Sequence, residues 1–169
     1  VLRRMIDSGR IPSIILWGPP GVGKTTLANI IANTLNAPFY KLSAINSGVK
    51  DVREVIDKAK NNRFFESAAP ILFIDEIHRF SKSQQDSLLN AVETGIVTLI
   101  GATTENPSFE VIRPLLSRCQ VYVLKPLEKK ELEQLLNRAL TEDIILKERK
   151  IEIKETDALF RFSGGDARK

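Results

Sequence analysis

Short apolar runs alternate with amphipathic stretches along most of the chain. The stretch that begins at Lys24 places Leu27, Ile30, Ile31 and Leu35 at helical spacing, and the apolar runs have the length of buried strands. Such alternation is typical of a parallel sheet with helices on both faces. We therefore predict an α/β fold, a three-layer sandwich with a five-stranded parallel sheet. The predicted strands are residues 11–17, 39–42, 71–74, 97–102 and 120–124.

Two of the predicted helices carry further signals. Ser81 is followed three residues later by Gln84, a capping-box pattern that predicts the start of a helix. Another helix, predicted over residues 49–62, has an apolar face and a basic outer face. Such a charged face is usually only solvated, and contact with DNA is the alternative. The basic positions are Lys50, Arg53, Lys58, Lys60 and Arg63.

The pattern changes at Pro126, where the predicted strands stop. From Glu128 the chain is predicted to be helical, with Leu132, Leu136 and Leu140 on one face. We expect two parts, an α/β core over residues 1–126 and the beginning of a helical lid over residues 127–169. The chain starts without Met inside one helical pattern and ends within another, so we expect a fragment that is truncated at both ends.

Composition excludes some classes of protein. The 169 residues are 43% hydrophobic and 27% charged, which suits one globular core. No apolar stretch approaches the roughly 18 residues that span a bilayer, so no membrane partner is expected. Cys119 is the single cysteine and reads as a small core residue, which favours a cytoplasmic setting without disulfides. The net charge of +4 is compatible with nucleic acid but decides nothing alone.

A glycine-rich loop lies between the first predicted strand and the first long helix. Glycines let the backbone turn tightly, so that successive N–H groups and the helix N-terminus form a cradle for phosphate oxygens. We expect Lys24 to hold the β- and γ-phosphates and Thr25 to place its hydroxyl on Mg²⁺, with ATP and Mg²⁺ as cofactors. The predicted nucleotide-binding residues are Gly18, Pro19, Pro20, Gly21, Val22, Gly23, Lys24, Thr25 and Thr26.

Two carboxylates end the third predicted strand, which is apolar over residues 71–74. Ligands of open α/β sheets lie outside the carboxyl ends of the strands, so Asp75 and Glu76 are expected beside the loop. Asp75 is then a ligand of Mg²⁺, and Glu76 orients and polarises the attacking water. His78, the only histidine, completes a helicase-like signature, and we favour a structural or signal-relay role over catalysis for it.

Three further polar residues are candidates for coupling nucleotide state to motion. Thr104, at the tip of the fourth strand, is predicted to sense the γ-phosphate, with Thr103 as the alternative because alternation sends only one of them toward the site. Arg118 precedes the fifth strand and is predicted to reach the nucleotide of a neighbouring subunit, the alternative being a surface salt bridge. Arg168, after a glycine turn, is predicted to fold back onto the γ-phosphate.

These motifs resemble those of the AAA+ ATPases, and in particular the clamp-loader-like RarA/MgsA family, which includes replication-associated recombination protein A and the Werner-helicase-interacting proteins. The resemblance covers nearly the whole chain and is most telling over residues 11–21, 43–53, 75–80 and 101–110. It implies a P-loop NTPase fold of the AAA+ type. It also implies the roles given above for the site residues, namely the loop, the two carboxylates, Thr104, Arg118 and Arg168.

The same resemblance implies a DNA-dependent ATPase that acts in replication-fork maintenance and in recombination and repair. Implied partners are single-stranded, gapped or forked DNA, further copies of the protein as a homo-oligomer, and replication proteins, with a nucleoid-associated location in the cytoplasm. Activity is expected to need oligomerisation. One alternative is a Holliday-junction branch-migration motor. The other is a clamp-loader subunit, which could also be a non-hydrolysing scaffold subunit.

Overall fold

A computed structural model describes residues 2–45, 47–62, 69–148, 151, 153 and 155–167. The chain forms two compact units. The first comprises Val1–Gly18 and Lys24–Val123, and the second comprises Pro19–Gly23 and Leu124–Lys169. The strands of the first unit are β1 Ile14–Trp17, β2 Phe39–Ser43, β3 Ile71–Asp75, β4 Thr98–Thr103 and β5 Gln120–Val123.

Helices connect these strands, and a 3₁₀ turn, Ile77–Arg79, follows β3 directly. In the first unit the helices are α1 Leu2–Asp7, α2 Lys24–Thr34, α3 Val49–Asn62, α4 Lys82–Glu93, α5 Pro107–Glu110 and α6 Arg113–Leu116. In the second unit they are α7 Lys129–Glu142, α8 Ile144–Glu148 and α9 Asp157–Ser163.

The strands form one parallel sheet in the order β2-β3-β4-β1-β5. In the register, Trp17 lies opposite Thr103, and Ile74 lies opposite Gly101. The carboxyl ends of parallel strands meet at one edge of the sheet. The ends of β1, β3 and β4 therefore lie at that edge. Within the first unit, the residues predicted to contact the phosphates or the metal lie at or just after these strand ends.

The central strands are buried on both faces, because helices cover each side of the sheet. On one face Ile15, Ile74 and Leu99 pack in a cluster with side chains of α3 and α4. On the other, α2 contacts β3 and β4 and buries Ala28 and Ile31. This three-layer arrangement confirms the predicted α/β fold.

Most element boundaries match the predictions. The helix predicted over residues 49–62 is α3, and Ser81 caps α4 with both hydrogen bonds of a capping box. The predicted apolar stripe of α2 was wrong at Ile30, which is 53% exposed, because the buried face is centred on Ala28, Ile31 and Ala32. Alanines let a helix lie close to a sheet, but they weigh little in a hydrophobic pattern. The first strand also begins later than predicted, at Ile14.

The second unit is helical in its described residues. Lys129 of α7 forms an ion pair with Asp157 of α9, and this hydrogen bond raises the pKa of Lys129 and lowers the pKa of Asp157. Among the described residues, no helix combines the length and the apolar character needed to cross a bilayer.

Candidate functional site

The glycine-rich loop begins at the carboxyl end of β1 and ends at the first residue of α2. In the first unit, the N–H of Gly18 donates to the carbonyl of Thr103 at 3.1 Å, and Nζ of Lys24 donates to the carbonyl of Gly18 at 2.7 Å. Lys24 is only 8% exposed, so its ammonium group is largely removed from water. A desolvated cation gains from a nearby anion, which makes this position suited to phosphate. Thr25 is partly exposed beside it.

In the second unit, the loop residues Pro19–Gly23 contact the turn that follows α9. The N–H of Ala167 donates to the carbonyl of Gly21 at 3.3 Å, and the Asp166 side chain fills the space that a Cβ at residue 21 would need. Gly21 also has a φ of 75°, in the left-handed region that favours glycine. Residue 21 must therefore be glycine in this conformation. Arg168 lies outside the described residues, and its contact with the γ-phosphate stays a prediction.

The chain turns sharply where β3 ends. Asp75 is the last residue of the strand, and Glu76 has φ 55° and ψ 48°, a left-handed conformation that few residues other than glycine adopt. The carbonyl of Glu76 accepts the N–H of Arg79 at 2.8 Å, which starts the 3₁₀ turn. Both carboxylate residues are partly exposed, as groups that meet a metal ion or a water molecule must be.

His78 lies between the carboxylates and β4. Its Nδ1 is 3.0 Å from Oγ1 of Thr103 and 3.2 Å from Oε2 of Glu76. Thr103 is fully buried, whereas Thr104 keeps partial exposure. The Thr103 hydroxyl is thus committed to internal contacts, which leaves Thr104 as the threonine of this pair with surface to offer a ligand. Its sensor role stays a prediction.

A continuous series of polar contacts joins the loop lysine to the Glu76 carboxylate. It runs from Lys24 to Gly18, from Gly18 to Thr103, from Thr103 to His78 and from His78 to Glu76. All five residues belong to the first unit. Lys24, predicted to bind phosphate, and Glu76, predicted to orient water, are therefore joined by contacts that cross from β1 through β4 to the end of β3.

The oxygen donors at this edge suit Mg²⁺ bound together with a nucleotide. Among the described residues, no group of three His, Cys, Asp or Glu side chains could enclose a metal ion. Mg²⁺ commonly takes one or two carboxylates and completes its shell with water and substrate phosphates. The Thr25 hydroxyl and the Asp75 carboxylate are hard oxygen donors on partly exposed residues, so they fit that manner of binding.

Arg118 lies far along the chain from this site, just before the amino end of β5. In a parallel sheet the amino ends lie at the edge opposite to the phosphate loop. One guanidinium nitrogen is 3.1 Å from Oε1 of Glu93, and the other donates to the carbonyl of Pro114 at 2.7 Å. Arg118 therefore forms a surface ion pair in this chain, and its reach to a neighbouring subunit stays a prediction.

Gln85 is a structural residue that our sequence analysis missed. It is 1% exposed, and its side chain donates to the carbonyls of Phe80 and Glu110 and accepts the N–H of Ile112. These bonds tie the segment after the carboxylates to the segment that leads to Arg118. The sequence signal for its burial was its position on the apolar stripe of α4, three residues before the buried Leu88.

Two other sequence predictions concern residues outside the site. On the basic face of α3, Lys50, Arg53, Lys58 and Lys60 are exposed, and Lys60 pairs with Asp57 at 3.5 Å, while Arg63 lies outside the described residues. Nothing in these contacts separates solvation from DNA binding. Burial raises the pKa of the Cys119 thiol to about 12, so the thiol stays protonated and is a poor nucleophile.

Comparison with known proteins identifies relatives that align with nearly the whole of this chain. The model of the ATPase family associated with various cellular activities (AAA) matches residues 14–127. Replication-associated recombination protein A of Haemophilus influenzae is 50% identical over 99% of this chain, and ATPase WRNIP1 of Dictyostelium discoideum is 52% identical over 99% of it. The chain spans 38% of the first relative's length and 19% of the second's.

Solved structures with the same fold belong to Thermotoga maritima RuvB. The RuvB Holliday junction branch migration motor superimposes with a TM-score of 0.75 at 30% sequence identity, covering 99% of this chain and 54% of RuvB. This match includes the sheet and the helices described above.

Proposed function

The chain belongs to the ATPase family associated with various cellular activities (AAA), and on this premise we propose that it binds and hydrolyses ATP within a DNA-dependent ATPase. The observation that carries the proposal is the continuous series of polar contacts from Lys24 to Glu76. It links a buried ammonium group, suited to phosphate, to a carboxylate suited to a water molecule. Hydrolysis needs a group that orients water close to the phosphates, whereas nucleotide binding alone does not.

Each part of the site has a role in this proposal. The loop N–H groups, from Gly18 to Gly23, and Lys24 hold the triphosphate, because amide dipoles and an ammonium group neutralise its charge. Thr25 and Asp75 hold Mg²⁺, which when bound neutralises charge on the phosphate oxygens. Glu76 accepts a hydrogen bond from the attacking water and so orients it toward the γ-phosphorus.

The arginines and Thr104 complete the proposal. Thr104 directly follows β4, the strand that lies between β1 and β3, and contacts the γ-phosphate. Arg118 enters the site of a neighbouring copy, where it neutralises charge on the transferred phosphoryl group, so that hydrolysis needs a homo-oligomer. Arg168 contacts the γ-phosphate from the second unit.

We further propose that the whole protein works on DNA during replication and recombination. Support comes from the names of its relatives, a replication-associated recombination protein A and an ATPase WRNIP1, at about half of the aligned residues identical. The DNA expected is single-stranded, gapped or forked, with a location on the nucleoid. Replication proteins are the further partners we expect.

A second candidate function is the migration of Holliday junctions, because RuvB has the same fold over 99% of the chain. The lower identity to RuvB, 30% against 50% to the recombination protein, favours the first candidate. A clamp-loader subunit without hydrolysis is disfavoured, since both Lys24 and Glu76 are present and connected.

The test of hydrolysis compares full-length wild type with Glu76→Gln. The variant should bind a fluorescent ATP analogue with unchanged affinity while its turnover falls about 100-fold or more, because a neutral amide cannot polarise the water. Asp86→Asn, an exposed carboxylate of α4, serves as the matched control and should keep wild-type turnover. Wild-type turnover in Glu76→Gln would remove Glu76 from the reaction.

The test of the DNA substrate measures turnover with different DNA structures at one salt concentration. Single-stranded, gapped and forked DNA should stimulate the wild-type full-length protein more than blunt duplex does. Stimulation by four-way junctions alone would favour the branch-migration candidate instead. Turnover that is indifferent to every DNA would contradict a DNA-dependent ATPase.

A further inference from the structure

We propose that His78 is a positioning residue that couples the turn after β4 to the carboxylate of Glu76. This inference rests on the proposed hydrolysis, since it concerns how Glu76 is held for that reaction. Its basis is a single ring nitrogen, Nδ1, that faces two oxygen atoms from different strands. Thr103 Oγ1 lies at 3.0 Å and Glu76 Oε2 at 3.2 Å.

The two oxygens require that Nδ1 carry a hydrogen. A carboxylate oxygen can only accept, so a lone pair on Nδ1 at that distance would repel it. The Thr103 hydroxyl leads to the same assignment. Its oxygen accepts the N–H of Glu105 at 3.0 Å, and its own hydrogen goes to the carbonyl of Glu105 at 3.1 Å. Its remaining lone pair is therefore free to accept the Nδ1–H of His78.

The hydrogen on Nδ1 serves only one of these two oxygens in this structure. With the hydrogen on Nδ1, hydrogen-bond geometry is met at Thr103, whereas Glu76 Oε2 is buried and receives no hydrogen bond from any described residue. A buried acceptor left unpaired is destabilising, and the left-handed backbone of Glu76 adds strain. Transfer of the hydrogen bond from Thr103 to Glu76 would relieve the first cost, so the structure contains a competing arrangement close in geometry.

Thr103 ties this choice to the predicted sensor. Both hydrogen bonds between its hydroxyl and Glu105 span Thr104, so a displacement of Thr104 by a phosphate disturbs the Thr103 hydroxyl. When that hydroxyl turns away, the Nδ1–H of His78 donates to Glu76 and holds its carboxylate in one orientation. The event at Thr104 thereby reaches the residue that orients the attacking water.

Two substitutions of His78 separate this role from packing. Asn carries an amide N–H near the position of Nδ1, whereas Leu fills similar space without a donor. In the full-length protein His78→Leu should lower kcat about 10- to 100-fold, the range expected when a reacting group is misplaced. The affinity for a non-hydrolysable ATP analogue should change less than twofold. His78→Asn should keep kcat within about threefold of wild type.

Variants of β4 test the coupling itself. Thr103→Val removes the hydroxyl at nearly constant volume, and Thr98→Val makes the same change elsewhere on the strand as a control. Thr103→Val should lower kcat less than His78→Leu does, and the double variant should match His78→Leu alone, because Thr103 acts through His78. Thr98→Val should behave as wild type. Losses that add in the double variant would contradict the shared pathway.

A spectroscopic measurement covers the case in which His78→Leu fails to fold. Nitrogen-15 NMR of nucleotide-free wild type, above the titration range of histidine, should give a neutral ring protonated on Nδ1, with the signal assigned by its loss in His78→Asn. The opposite tautomer would overturn the proposal. Wild-type kcat in a folded His78→Leu would overturn it too, whereas an inactive wild type would instead refute the proposed ATP hydrolysis.

Discussion

A left-handed residue at the end of β3 explains why two adjacent acids have different surroundings. Asp75 belongs to the strand and lies opposite Ser43 of β2, whereas Glu76, with φ 55°, turns its side chain toward His78. Two neighbouring carboxylates in the sequence therefore have different surroundings in the structure. The division into a metal ligand and a water-orienting group stays a prediction, and the different surroundings of the two carboxylates are compatible with it.

At the same scale, Cys119 illustrates how burial sets reactivity. Its thiol has a pKa of about 12, raised from an ordinary value of 9.0 by desolvation. We expect the native protein at pH 8 to react with iodoacetamide at residue 119 much more slowly than the urea-unfolded protein, as measured by peptide mass spectrometry. Equal rates would contradict the burial.

The same shift has a direction for stability. The folded state retains the thiol proton between pH 9.0 and about 12, whereas the unfolded state loses it. Unfolding is therefore favoured progressively as pH rises through that window, and the contribution of Cys119 is fully present below it. A Cys119→Ser variant removes the titrating group and serves as the comparison in urea titrations at pH 8 and pH 10.

Among the elements, α4 connects more functional parts than any other helix described. Its N-terminus is fixed by the Ser81–Gln84 capping box, close after the carboxylates, and its last residue, Glu93, pairs with Arg118. Between them Gln85 holds the segment that joins the predicted sensor to Arg118. The helix therefore relates the chain's own site to the residue proposed to act on a neighbour.

Replacement of Gln85 tests that structural role. Gln85→Leu keeps the volume but leaves the N–H of Ile112 and two carbonyls without the partner they have now. We expect the free energy of unfolding to fall by about 2–4 kcal/mol, measured by urea denaturation. Gln134→Leu, the same change at an exposed position of α7, should alter it by less than about 0.5 kcal/mol. Similar losses in both variants would argue against the tie.

For the whole molecule, the two edges of the sheet have separate tasks in our proposal. The carboxyl edge carries Gly18, the carboxylates and the threonines, while Arg118 lies before the amino end of β5. A parallel sheet keeps these edges apart, so one chain cannot easily bring both sets of residues to one nucleotide. Assembly of several copies would bring them together.

Mixing two inactive variants tests this arrangement. Full-length Arg118→Ala should lose about 10³-fold or more in turnover, since a trans-acting arginine contributes roughly 10³- to 10⁵-fold. Glu76→Gln is also inactive but retains Arg118. A mixture should regain turnover, because Arg118 from a Glu76→Gln subunit can serve the intact site of an Arg118→Ala subunit.

The outcome depends on which copy Arg118 serves. If the mixture stays as inactive as its components, Arg118 works within its own chain or only in the ion pair with Glu93. Arg113→Ala, an exposed arginine five residues earlier, is the control and should keep wild-type turnover. An unchanged Arg118→Ala would also contradict the proposal.

Periodicity and turn chemistry in the sequence determined much of the secondary structure of this protein. The five strands, the helix of residues 49–62 and the Ser81 cap follow from local preferences, which depend on near neighbours in the chain. The phosphate loop could also be predicted from the sequence, because its glycines and Lys24 must follow one another closely in the chain to surround a phosphate. The roles of Glu76, Thr104, Arg118 and Arg168 remain predictions.

Contacts between distant residues required the tertiary structure. Alternation left open which of Thr103 and Thr104 turns toward the site, and the structure shows that Thr103 is the one buried against His78. Burial of Gln85, the fit of Gly21 against Asp166 and the exposure of Ile30 likewise arise from how closely elements pack. Packing depends on contacts between side chains that are far apart in the chain. A local sequence pattern does not show which distant residues will come into contact.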